Sequence, residues 1–240
     1  MGICIPDGFN FGFLMFSWEF IKEDVMSTVN DFATRGVWPR GSNASFLCLI
    51  PKNDNPQQLN DFRPISLVGC MYKIMSKALS LRLKRVIDKV IDVRKSAFLE
   101  GQSLLDGVLV ANDALEEMKR KKRSCVFLKV DYEKAYDFIV CEFIYYMLGE
   151  VGFCDRWINW IKSCLEFALV SVLVNGSPTK EFIPKKGLRQ GDPLTPFLFL
   201  IATEGPTGVS RMADEKQLID NLKIGDKKVN VNMQMILCFL

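Results

Sequence analysis

The stretch "LKVDYEKAYD", residues 128–137, decides how the rest of the chain is read. It ends the apolar run "SCVFLKVD", which reads as a buried strand, on a carboxylate, Asp131. Burying a charge is costly unless something pairs with it. Two uses account for Asp131. It caps a helix that starts near Glu133. Or it holds a hard cation such as magnesium, which takes oxygen ligands and keeps substrate phosphates in its shell, with Tyr132 adding a backbone carbonyl. Spacing alone leaves both open, and the second requires another acid to share the load.

Composition narrows the field. A chain of 240 residues, 49% hydrophobic and 25% charged, is long enough and apolar enough to bury a core. The net charge of +3 means that any nucleic-acid surface is local. There is no histidine, and the eight cysteines show no Cys-x-x-Cys spacing. No zinc or haem site is expected, and no chemistry with a histidine base. Scattered thiols point to a reducing compartment, nuclear or cytoplasmic. The apolar N-terminus lacks a basic leader and is broken by Pro6, Asp7 and Gly8, which argues against a signal peptide. Pro6 also stands where a myristoylation signal takes Ser or Thr. The apolar run 197–202 is too short to span a bilayer, so no membrane partner is expected.

Working outward, residues 17–36 place Phe20, Ile21, Val25, Val29 and Phe32 at helical spacing, with Gly36 as the stop. Residues 44–52 form a short strand ended by Pro51 and Lys52, followed by a polar, turn-rich loop. Residues 68–92 make one long amphipathic helix, with Leu79, Leu83, Val86 and Val90 on one face and Lys73, Lys77 and Lys84 on another. A further helix spans 103–123 and ends in the basic run Lys119 to Arg123. Two short helices follow at 142–153 and 155–166; the second is capped by Asp155 and buries Trp157, Trp160, Ile161 and Cys164. Asn175-Gly176 turns a hairpin at 169–187. Pro193 sits in the first turn of a buried helix at 191–205, and 222–231 is a second hairpin. Helices mixed with hairpins, without strict alternation, predict an α+β fold whose main sheet is largely antiparallel.

Two more stretches carry candidate chemistry. In "GLRQGDPLTPFLF", residues 187–199, Gly187 and Gly191 bracket a short loop where another backbone or a nucleotide can approach closely. The same pattern also fits an ordinary hairpin exit before a helix. In "LIPKNDNPQQLNDFRPISL", residues 49–67, Lys52 and Arg63 flank one loop. They can clamp a triphosphate, or simply be solvated.

Taken together, "PDGFNFGFL", "LIPK", "DFRPISL", "SAFLEGQSLLDGVLVANDAL", "VDYEKAYD" and "GLRQGDPLTPFLFLIATEG" resemble, in this order, the reverse transcriptases of plant non-LTR (LINE-type) retrotransposons. The resemblance covers nearly the whole chain. It implies a right-hand polymerase with fingers and an antiparallel-sheet palm. The domain starts at about 44 and runs to 240. Residues 1–43 lead into fingers at 44–124, the palm is 125–240, and 142–187 belong partly to the fingers. It further implies that Asp131 and the Tyr132 carbonyl bind two Mg2+ ions. Lys52 and Arg63 grip the incoming deoxynucleoside triphosphate, Tyr136 gates the ribose 2′-hydroxyl, and Gln190 and Gly191 pack under the nascent base pair. The implied partners are an RNA template and a DNA primer, whose 3′-hydroxyl attacks the α-phosphate. Against the family pattern, Gln102 replaces an Arg, Thr195 replaces a Ser, and Pro206 falls in a continuing helix.

The family's other metal ligands are the paired acids of a Tyr-Ala-Asp-Asp hairpin, expected after 222–231. Here the sequence reads "NMQMILCFL", residues 232–240, with no acid. Met233-Gln234-Met235-Ile236 is encoded ATG-CAR-ATG-ATH. Read one base earlier, those nucleotides permit Tyr-Ala-Asp-Asp, with the Ala and the last Asp forced. The expectation is a frameshift just upstream of Met233 that hides the motif. The product is then a truncated domain without a thumb, inactive as a polymerase. The alternatives are a nucleic-acid-binding fragment, with Lys73, Lys77, Lys84 and the run 119–123 on phosphates, or a non-functional pseudogene product.

Overall fold

A computed structural model describes residues 5–39, 41–91, 104–122, 134–217, 222–224 and 227–229. The strand expected at 124–131, the segment around Gln102 and the tail 232–240 lie outside the described residues.

The chain opens with α1 (Phe11–Phe16), whose first turn is closed by Asn10: its Oδ1 accepts the Phe13 N–H at 2.8 Å. Helix α2 (Trp18–Arg35) fills the predicted window. It stops at Gly36, which takes the left-handed φ of 70° that a helix-ending glycine adopts without steric cost. Val25 and Phe32 of its predicted stripe are buried, whereas Phe20 is 86% exposed.

Strands β1 (Ala44–Pro51), β2 (Phe62–Val68), β3 (Leu169–Val174) and β4 (Ser177–Pro178) form one sheet in the order β2-β1-β3-β4. β1 and β2 run antiparallel from Ser45↔Val68 to Pro51↔Phe62, while β1 and β3 run parallel from Ala44↔Leu169 to Leu47↔Val172. The described sheet is therefore mixed, antiparallel in two of its three pairings and parallel in the third, a pairing the sequence reading did not foresee. Parallel neighbours need a long crossover. Here it is the whole stretch 52–168, so no local strand–helix alternation announces it. The β3–β4 hairpin does turn at Asn175 and Gly176, both with positive φ (50° and 82°), as predicted.

β2 itself was hidden in the stretch read as a loop. Pro64 argues against a strand because it lacks an N–H donor, but β2 is the edge of the sheet, where that loss is tolerated. Only a short 3-10 turn, Leu59–Asp61, separates it from the loop proper.

The long helix predicted at 68–92 is two helices, α3 (Cys70–Lys84) and α4 (Ile87–Val90). The chain tightens at Arg85, whose N–H bonds the Arg82 carbonyl. Leu79 and Leu83 are buried as expected, and Ile87 and Ile91 continue the core rather than Val86 and Val90. The start of α3 is capped from a distance. Gly69 has no side chain to offer, and Asp7 accepts the Cys70 N–H instead, placing a carboxylate at the helix N-terminus.

Helices α5 (Leu104–Lys121), α6 (Cys141–Glu150) and α7 (Asp155–Glu166) follow. Trp157, Trp160, Ile161 and Cys164 of α7 are all buried. Asp155 is the first helical residue rather than the cap, a position taken by Cys154 without a side-chain bond. The carboxylate still favours the helix through its dipole. α8 (Thr195–Ala202) carries Pro196, not Pro193, in its first turn. Pro206 costs little where it stands. The chain breaks at Thr203, and a new helix, α9 (Glu204–Glu215), begins. Pro206 falls in its first turn, where no intrahelical hydrogen bond is lost. β5 (Leu222–Ile224) and β6 (Lys227–Val229) form the predicted second hairpin.

The core lies where α3, α6, α7 and α8 meet, around Tyr72, Leu83, Ile144, Leu148, Ile161 and Leu198. Among the described residues no helix is long and apolar enough to cross a membrane. Truncating Leu83, which is 0% exposed, to Ala is expected to remove about 2–5 kcal/mol of stability in urea denaturation. Phe20→Ala on the exposed face of α2 is expected to shift it by less than about 0.5 kcal/mol.

Candidate functional site

Three segments distant in sequence meet at the outer edge of β2. The first is the β1–β2 unit. Arg63 is paired in register with Ile50, and cross-strand partners share a face. Lys52 follows directly on Pro51, the last residue of β1. Its N–H extends the ladder to the Asp61 carbonyl at 2.7 Å, and its Nζ donates to the Asn60 carbonyl at 2.8 Å. Asp61 organises the loop. Its Oδ2 accepts the N–H groups of Gln57 and Gln58, both at 2.8 Å, and the bonds from Gln58 and Gln57 hold its carboxyl below the usual carboxylate range.

The second segment, 134–139, turns tightly, with the Asp137 N–H on the Lys134 carbonyl. Lys134 Nζ donates to Asn60 Oδ1 at 2.9 Å, which joins this turn to the loop before β2. Tyr136 stands edge-on to Phe199 of α8, with ring centroids 5.3 Å apart. Burial pushes its hydroxyl pKa up, so it remains a neutral donor at physiological pH.

The third segment, 187–195, lies between the other two. Gly187 N–H bonds the Ile139 carbonyl at 2.8 Å and Leu188 N–H the Tyr136 carbonyl at 2.7 Å. Gln190 Nε2 donates to Asp137 Oδ1 at 3.4 Å, while its own carbonyl accepts the Ser66 N–H at 2.8 Å. Both glycines are required. Gly187 (φ 92°) would place a Cβ 3.0 Å from the Asp137 carbonyl oxygen, and Gly191 (φ 98°) would place one 3.1 Å from that of Ser66. Another backbone is therefore what approaches each of them. Gly191 also lies beside Ile65, two residues from Arg63 and on the face of β2 that carries Arg63.

The structure thus joins the segments of Tyr136, Gln190 and Gly191 directly, with Arg63 on β2 and Lys52 bonded to the loop that leads into it. Asp131 and Tyr132 lie outside the described residues. Among the described residues no cluster of three metal-ligating side chains occurs. The nearby acids are engaged with protein donors: Asp61 with its own loop, Asp137 with Gln190, and Asp192 as follows.

Sequence reasoning passed over Arg189 and Asp192, the charges on either side of Gln190 and Gly191. Both are buried. Arg189 donates to Asn43 Oδ1 at 2.6 Å and to the Cys164 carbonyl at 3.0 Å, pairs with Asp192 at 3.2 Å, and lies 4.1 Å over the Tyr72 ring. The Tyr72 hydroxyl donates to Asp192, whose other oxygen accepts the Leu194 N–H at 3.0 Å. Burial, first of all, pushes the Tyr72 hydroxyl well above its ordinary range and the Cys164 thiol up to about 12. The available signal was local: two opposite charges at the entrance to the apolar helix α8.

A profile of the family described as "Reverse transcriptase (RNA-dependent DNA polymerase)" matches residues 50–213. A 149 kDa protein of transposon TX1 from Xenopus laevis is 31% identical over 198 residues, 82% of this chain. The Pol polyprotein of the type-2 retrotransposable element R2DM from Drosophila melanogaster is 29% identical over 68% of it. The mitochondrial protein AtMg01250 of Arabidopsis thaliana is 37% identical over 60 residues. The chain spans 15% of the length of the TX1 and R2DM proteins.

Two outcomes test this geometry. Gly191→Ala is expected to cost about 1–2 kcal/mol in chemical denaturation from its positive φ, because a Cβ is disfavoured there. Asp61, whose carboxyl is held below the ordinary carboxylate range by the Gln58 and Gln57 N–H groups, adds stability that is full above the unfolded carboxyl's pKa and lost as pH falls through the lowered one. Denaturation midpoints measured from pH 5 to 2 are expected to fall on acidification, and Asp61→Asn to flatten that part of the profile.

Proposed function

Since the chain belongs to the reverse transcriptase family of RNA-directed DNA polymerases, a class of nucleotidyltransferase, we propose that the assembly at the β2 edge is its nucleotide site. In this reading residues 44–124 are fingers and 125–240 palm, with 142–187 shared, and the element of origin is of the plant LINE type. The convergence of segments 52–66, 134–139 and 187–191 is the observation that carries it.

Each residue has a physical role. Lys52 meets the triphosphate as a compact charge and Arg63 as a fork able to hold two oxygens at once. Tyr136, held by its edge contact with Phe199, is a rigid wall against which a 2′-hydroxyl collides. Gln190 and Gly191, bonded to β2, offer a flat backbone floor for the base pair. Magnesium, when bound, stabilises the attacking and leaving oxygens of phosphoryl transfer. Asp131 and the Tyr132 carbonyl are the residues assigned to hold it. An RNA template, a DNA primer and deoxynucleoside triphosphates are the proposed substrates. A nuclear or cytoplasmic setting suits the free thiols of Cys70 and Cys164.

We further propose that this chain grips nucleotide without polymerising it. The segment 232–240, where the family places its paired acids, carries none. One carboxylate at 131 cannot offset the repulsion between two divalent ions. The codons across Met233 permit the missing Tyr-Ala-Asp-Asp one base upstream, which makes a frameshift the economical cause.

Primer extension with magnesium is the test. Incorporation no greater than that of an Asp131→Asn control is expected, together with recovery in a chain re-framed at Met233. Incorporation by the unaltered chain above that control overturns the inactivity. Arg63→Ala is expected to weaken binding of a fluorescent deoxynucleoside triphosphate by more than roughly tenfold, the loss of about 1.5–3 kcal/mol from a charged hydrogen bond. Unchanged affinity removes Arg63 from the site.

A further inference from the structure

The turn that carries Gln190 and Gly191 is held at both ends by buried charge. Before it, Arg189 reaches Asn43, just ahead of β1, and the Cys164 carbonyl on α7. After it, Asp192 takes the Tyr72 hydroxyl from α3 and the Leu194 N–H at the entrance to α8. The Thr195 hydroxyl bonds back to the Arg189 carbonyl at 2.6 Å, closing the turn on itself. Arg189 and Asp192 pair across it, so four separate parts of the core are tied to the two residues that flank Gln190 and Gly191. What remains outside the buried network is Gln190, half-buried, and Gly191, exposed. A buried ion pair of this kind gives little stability that well-packed apolar side chains would not match. It does give a fixed position: a guanidinium with its donors engaged and its flat face on a ring has one placement, where an apolar side chain has several.

We infer that Arg189, Asp192 and Tyr72 are positioning residues for the nucleotide site: they set the height of the Gln190–Gly191 floor against β2 and the Tyr136 segment. The inference rests on the nucleotide-site reading above and assigns that site's precision to a network that touches no substrate. The Ser66 N–H, bonded to the Gln190 carbonyl, reports the floor directly.

The test is a variant in which the network is replaced rather than broken, Arg189→Met with Asp192→Leu and Tyr72→Phe, beside the single change Arg189→Lys. Three measurements are made on the full chain: the thermal midpoint, amide exchange at Ser66 and Leu188, and affinity for a fluorescent deoxynucleoside triphosphate in the presence of primer–template. In the triple variant the midpoint is expected to stay near that of the unaltered chain. Exchange at the two amides is expected to accelerate by about tenfold or more, with amides in α7 unaffected. Affinity is expected to fall by about tenfold or more. Arg189→Lys keeps the charge and loses the fork, and is expected to reproduce the loss of affinity. If the triple variant fails to fold, Arg189→Lys carries the exchange and affinity measurements alone. Unchanged exchange, or unchanged affinity with faster exchange, overturns the positioning role. If the unaltered chain itself binds no nucleotide, the nucleotide-site reading fails first, and the positioning role falls with it.

Discussion

The buried pairing of Arg189 with Asp192 is the constraint that positions the rest of the candidate site. It sits where α3, α7, α8 and the entrance to β1 converge, and each contributes one polar contact to it. Breaking a buried pair by removing one partner costs about 3–5 kcal/mol, because the other charge stays behind without compensation. The core around Tyr72 and Cys164 and the turn at 187–192 are therefore not independent. The polar cluster registers the apolar packing, and the packing dries the cluster enough for its charges to matter.

From that fixed turn the geometry of the β2 edge follows. Gly187 and Gly191 lack side chains, so two backbones come within contact of the turn, at 136–137 and at Ser66. Tyr136 is held by the first approach and the Arg63–Ile65 face is placed by the second. The loop at 53–61 closes the arrangement through Asn60, which takes hydrogen bonds from both Lys52 and Lys134. The candidate site is thus a junction of three segments with mostly main-chain bonds between them, which makes it rigid with little dependence on exposed side chains.

Much of this was legible in the sequence because it is local. Gly36 as a helix stop, Asn175-Gly176 as a hairpin turn, and the buried face of α7 are each decided within a few residues of themselves. The errors are where a distant partner decides. Pro64 sits in a strand because that strand is an edge; the sheet is mixed because α3, α5, α6 and α7 lie between β1 and β3; and Asp7, not any residue near Cys70, caps α3. Pro206 looked like a defect only while a single helix was assumed. In the site, Lys52 and Arg63 were paired locally around one loop, but their grouping with Tyr136, Gln190 and Gly191 came from a family resemblance, since nothing local joins the three segments. Arg189 and Asp192 went unnoticed because charged residues beside glycines read as a solvated turn until their burial is known.

The central proposal is that the β2 edge binds nucleotide and that Asp131 does not hold paired cations. A crystal structure of the chain with primer–template, a deoxynucleoside triphosphate and manganese tests it most directly. The account predicts triphosphate oxygens within hydrogen-bond distance of Lys52 and Arg63, with the base pair over Gly191 and no paired cation peaks beside Asp131. A nucleotide bound elsewhere, or two ordered manganese ions at that carboxylate, contradicts it.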